Sequence, residues 1–149
     1  MPDGQLGYGR LLPSEYVAIY KLRTQQASDD LDFIERHPIL YRSHVNDRMF
    51  KRWAFIGARQ VTGELAKPDK SYMQSDTDYR DCTIFDTDGN SWAATPEECI
   101  GLEASGVWDP EAMEKRIVDS FEGRINGIEV EDRGAPSSRS ARRDCRHVG

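Results

Sequence analysis

The sequence predicts a small α+β, helix-rich single domain with a β-hairpin at about residues 82–95 in a small antiparallel sheet, a flexible N-terminal arm and a basic C-terminal tail. Three observations lead there. An apolar stripe of Tyr41, Val45, Met49 and Trp53 recurs at every fourth residue, the spacing of one helix face. Two helix-start signatures follow, Thr95-Pro96-Glu97-Glu98 and Asp109-Pro110-Glu111. Between stripe and signatures, Asp88-Gly89 separates the strand-like runs Cys82-Thr-Ile-Phe85 and Ser91-Trp-Ala-Ala94.

Residues 1–12 carry Gly4, Gly7 and Gly9 and read as the flexible arm. Ser14 is placed to cap a helix beginning at Glu15, with Tyr16, Val17, Ile19, Tyr20 and Arg23 on one face. Asp29 or Asp30 restarts a short helix through Leu31 and Ile34, which His37-Pro38 stops. The main helix runs from Ile39 to Ile56 and ends at Gly57, with a strand over Trp53–Val61 as the competing assignment. Residues 61–79 form a polar connection. In the hairpin, a two-residue Asp88-Gly89 loop sets Phe85 opposite Trp92, an aromatic pair worth roughly 0.2–1 kcal/mol. Thr95 caps a short helix that Ser105-Gly106 ends. The last helix begins at Asp109-Pro110, buries Met113, Ile117, Val118 and Phe121, and stops near Gly123. Residues 125–130 make a last short strand, or a hairpin around Asn126-Gly127. From Arg133 onward Gly, Pro, Ser and Arg dominate, which predicts a disordered tail, so the globular part spans residues 13–132.

The formal net charge of −6 hides an asymmetry. The tail, residues 133–149, holds five arginines and Asp144, a net +4, which leaves −10 for residues 1–132. So acidic a body argues against nucleic-acid binding by the whole surface. No apolar run approaches the ~20 residues that cross a bilayer, and the first residues lack a secretory leader pattern. Three cysteines, Cys82, Cys99 and Cys145, leave at least one unpaired within the chain and suggest a reducing cytoplasm; a Cys82–Cys99 disulfide stays open.

Chemistry-bearing patterns are few. Asp86, Asp88, Asn90 and Glu97 fit positions 1, 3, 5 and 12 of a calcium loop, but Ser91 stands where that loop needs glycine. A plain hairpin explains the same residues. Asp76, Asp78, Asp86 and Asp88 are therefore weak metal candidates, and no cofactor is expected. His37 and His44 lie too far apart on a helix to share a metal, and no catalytic signature surrounds them. Gly4, Gly7 and Gly9 have no preceding strand, which rules out a dinucleotide motif.

The remaining candidates are cations. Arg42, Arg48, Lys51, Arg52 and Arg59 on the main helix and beyond it, with Arg139, Arg142, Arg143 and Arg146 in the tail, could meet phosphates or a protein partner. The bland alternative is that they pair with the acidic remainder of the body. The leading expectation is a non-enzymatic interaction or assembly protein, of the kind common among viral and mobile-element accessory proteins, with a protein partner or second copy as its target. A nucleic-acid accessory protein using the basic helix and tail is the alternative, and a metal-dependent enzyme using residues 76–88 is the third reading.

Overall fold

The structure, a computed structural model, describes residues 1–124. It is built around β2 (Tyr16–Thr24), whose first five residues, Tyr16-Val-Ala-Ile-Tyr20, are all buried. Antiparallel neighbours flank it, β1 (Leu6–Leu11) on one side and β3 (Ile39–His44) on the other. Successive side chains of a strand point to opposite faces, so a strand covered on both faces must be apolar throughout.

On one face Val17 and Ile19 meet Met113 and Ile117 of α3 (Pro110–Phe121), with Val45 and Met49 completing the cluster. On the other, Tyr20 and Leu22 pack with Tyr8 and with Ile34 of α1 (Leu31–Glu35), while Tyr16 and Ala18 pack with Leu12 and the passing Val61 and Leu65. Gly9 lies where β1 crosses β2: a Cβ there would sit 2.8 Å from Val17 Cγ1.

A second sheet runs in the order β6-β5-β4-β7. Its strands are β4 (Lys70–Gln74), β5 (Cys82–Asp86), β6 (Ser91–Ala94) and the two-residue β7 (Glu103–Ala104). All pairs are antiparallel except β4–β7. Tyr72, Cys82 and Ile84 bury one face against Cys99 and Leu102.

The helix-rich expectation is overturned. The described residues hold seven strands in two sheets, and α3 is the one helix longer than five residues. The main helix expected over residues 39–56 is β3 followed by the four-residue α2 (Met49–Arg52), because β2 offers every residue of Ile39–His44 except Leu40 a ladder partner. Tyr41, Val45, Met49 and Trp53 still meet at one core, but strand and turn bring them there. The helix expected from Glu15 is β2, and the arm expected over residues 1–12 contains β1. Residues 53–61, the competing strand, hold none.

The hairpin forms with a different register. Asp86 N–H donates to Asn90 O and Gly89 N–H to Asp86 O, so three residues make the loop and Gly89 takes φ 89°. Phe85 therefore faces Ser91, and Ile84 faces Trp92. Glu98 and Thr95 form the expected capping box, Thr95 N–H donating to Glu98 Oε2 at 2.7 Å, but only a 3-10 turn, Glu97–Cys99, follows. α3 starts at Pro110 as expected. It closes on Gly123 at φ 68°, with Arg124 N–H returning to Asp119 O. The strand expected at 125–130 and the basic tail lie outside the described residues.

Candidate partner-binding surface

The cations singled out by sequence do not share one face. Arg42, on β3, reaches Asp69, with Nε 2.6 Å from Oδ1, and donates to the carbonyls of Glu64 and Lys67. Burial pushes the Asp69 carboxyl up, and Arg42 opposes that shift. Arg48, which precedes α2, and Arg52, which ends it, lie against the start of α3. Arg48 pairs with Asp109 and Glu111, and Arg52 with Glu111 and Glu114. Trp53 Nε1–H also donates to Glu114, which its Arg52 and Trp53 donors hold below the usual glutamate range. Arg59 sits beyond α2 and pairs with Asp32 and Glu35 of α1. Lys51 is exposed. Arg139, Arg142, Arg143 and Arg146 lie outside the described residues. Arg42, Arg48, Arg52 and Arg59 thus spend their charge fastening loops and short helices to neighbouring elements.

The aspartates are also engaged locally. Asp86 accepts from the N–H groups of Asp88 and Asn90 and from the Asn90 side chain, which shapes the hairpin loop and lowers its carboxyl. Asp78 is held by Arg80, and Ser75 Oγ accepts from the N–H groups of Thr77 and Asp78. Asp76 is exposed in the same turn, and Asp88 is exposed at the hairpin tip. Among the described residues no three His, Cys, Asp or Glu groups are arranged to hold a metal ion. His37 lies 3.0 Å from Phe33 O, and His44 stacks on Tyr16 beside Glu15. Cys82 and Cys99 are buried neighbours in the thiol form, and burial pushes Cys99 up to about 11.

Sequence reasoning missed the most buried ion pair. Arg116 is 5% exposed and meets Glu103 in a forked contact at 2.5 and 3.1 Å. Its guanidinium lies over the rings of Tyr41 and Trp108, at 4.1 and 4.9 Å from their centroids. Ser43 Oγ–H donates to the same carboxylate, so β3, β7 and α3 are joined at one point. The available signal was an arginine inside the Met113–Ile117 stripe, where a buried cation needs a carboxylate.

Two surfaces offer themselves to a partner. One is the segment from α2 to Gly57, where Phe50 is 62% exposed and Phe55 83%. The other is the open side of the second sheet. Met73, Thr83 and Ala93 form a cross-strand row on one face, with Met73 50% exposed. Trp92, 39% exposed, lies on the opposite face with Lys70 Nζ 5.5 Å from its ring.

Charge separates these surfaces. No lysine or arginine occurs between Arg80 and Lys115, a span that contains nine carboxylates. Glu103, Asp109, Glu111 and Glu114 of that span meet arginines of other elements. Asp81, Asp86, Asp88, Glu97 and Glu98 form no ion pair among the described residues. These five lie around β5 and β6, which makes that side of the molecule locally anionic.

Comparison with known proteins matches the chain to a family. The model of that family, described as Immunity protein 26, matches residues 1–83, from the start of the chain into β5. No curated protein and no solved structure matches the chain. With more than half its length matched, the chain belongs to the Immunity protein 26 family.

Proposed function

We propose that the chain is an immunity protein that neutralises a protein toxin by binding it stoichiometrically, without catalysis. Membership of the Immunity protein 26 family carries this reading. Immunity proteins bind a cognate toxin, so the partner is a protein. The side-chain chemistry agrees with such a role. The buried charged groups Arg116, Glu114 and Asp119 are each occupied with structural partners, while large apolar side chains such as Phe55, Phe50 and Met73 face solvent. Exposed aromatics beside arginines resemble the anchors on which protein interfaces concentrate their binding energy.

The nucleic-acid reading draws less support. The long helix expected to carry its basic face is replaced by β3 and the four-residue α2, and four of its five body cations are paired with carboxylates. Co-expression in a sensitive host, with a candidate toxin domain from the same genome, tests the proposal. Growth is expected to recover, and the two proteins are expected to copurify. Undiminished killing with the chain in excess over each such toxin would contradict it.

A further inference from the structure

We propose that the open edge of β6 is the toxin-docking element, and that it receives an extended, cationic segment of the partner as an added strand. The inference deepens the immunity reading and rests on it for the partner being a toxin.

The backbone supplies the first argument. Asp86 N–H donates to Asn90 O, and antiparallel bonding alternates along the ladder from there. Ile84 and Trp92 are therefore a hydrogen-bonded pair, and the N–H and C=O groups of Ser91 and Ala93 point away from β5. Ser91, Trp92 and Ala93 are all exposed.

The second argument is the lack of guards. Natural edge strands are blunted by charge, proline or bulges. β1 has a bulge between Gly7 and Gly9 and carries Arg10. β3 carries Arg42 and His44, and β7 is two residues long. β6 reads Ser-Trp-Ala-Ala, with no charge and no proline. It is short, so main-chain bonds alone give little affinity. The side chains of an added strand would alternate between the Met73–Thr83–Ala93 row and the side of Trp92.

Charge selects the occupant. Exposed Asp88 precedes β6 and exposed Glu97 and Glu98 follow it, within the span that has no cation. A basic segment gains from these carboxylates and an acidic one is repelled.

The test uses a capped Val-Lys-Val-Lys-Val-Lys peptide, its Val-Glu counterpart, and amide exchange followed by NMR on the full chain. The cationic peptide is expected to slow exchange at Ser91 and Ala93 about tenfold at saturation, and added salt is expected to weaken the effect. Ala93→Pro, tolerated because that N–H faces outward, is expected to abolish it. No slowing, or equal slowing by the anionic peptide, would overturn the proposal.

A second arm uses a toxin that the native chain neutralises. Ala93→Pro and Ala93→Lys are each expected to lower potency about tenfold, whereas Lys115→Ala, on the exposed side of α3, is not. Ala93→Lys retains the backbone donors, so its loss could not be blamed on proline disrupting the strand. Unchanged potency in both would overturn edge docking and leave the immunity reading intact. Failure of the native chain against every candidate toxin would overturn the immunity reading itself.

Discussion

Arg116 brings α3 and both sheets together through a single guanidinium. Desolvating it is costly, and the forked bond to Glu103 with two aromatic faces offsets that cost. Truncating it takes both guanidinium bonds from the part-buried Glu103 carboxylate and leaves it the Ser43 hydroxyl. Arg116→Ala is expected to lose about 3–5 kcal/mol in urea unfolding, whereas Lys115→Ala, on the exposed side of the same helix, should lose under about 1 kcal/mol. Glu114 provides a pH signature. Its carboxyl titrates below the ordinary 4.5 because Arg52 and Trp53 donate to it. The unfolded chain takes up that proton at higher pH than the folded one. The stabilisation is present above about 4.5 and is lost as pH falls through the lower folded value. Glu114→Gln should remove this component of acid unfolding and cost about 1–2 kcal/mol at neutral pH, a modest figure because Arg52 is part exposed.

At the scale of elements, two glycines separate sterics from conformation. A Cβ at Gly9 collides with Val17, a β-branched residue locked in the core, so Gly9→Ala is expected to cost about 1–3 kcal/mol. Gly89 has nothing within 4 Å but holds φ 89°. Gly89→Ala should cost about 1–2 kcal/mol, and Gly89→Asn less, since asparagine tolerates that backbone region. Denaturation midpoints of the three variants check both statements. The sequence revealed elements whose signals are local: the Asp-Gly turn, the Thr95–Glu98 box, and α3 from its Asp-Pro start to its glycine stop. It concealed those set by distant partners. Tyr16-Val-Ala-Ile-Tyr20 is buried on both faces, and such a run lacks the alternation that marks a strand. Tyr41, Val45, Met49 and Trp53 were rightly grouped as one core face, but their four-residue spacing is a coincidence of strand, turn and short helix. The hairpin register slipped by one residue because the Asp86 side chain organises a three-residue loop, which backbone pattern alone does not reveal.

Across the whole molecule, the charges form two populations. The cations of residues 42–59 are largely neutralised by carboxylates from α1, α3 and the loop before β4. Around β5 and β6, Asp81, Asp86, Asp88, Glu97 and Glu98 stay exposed or half-buried and form no ion pair among the described residues, with Lys70 of β4 as the cation that acts on Asp86. The candidate site was legible only in part. Composition exposed the acidic bias and cast the basic residues as the contact set; the ion pairs that occupy most of them depend on tertiary placement. An anionic docking side predicts that toxin association slows steeply as ionic strength rises from about 0.05 M to about 0.5 M, while dissociation changes little. Stopped-flow mixing at several salt concentrations would read this directly.

The central claim, neutralisation by occupancy, is tested most directly by titrating a fixed amount of active toxin with the chain while recording residual toxin activity. The account predicts a linear fall to zero that ends at a fixed stoichiometric ratio, with a complex of matching mass in light scattering. Complete inactivation by a small fraction of an equivalent, with no complex formed, would mean that the chain turns over and would contradict it.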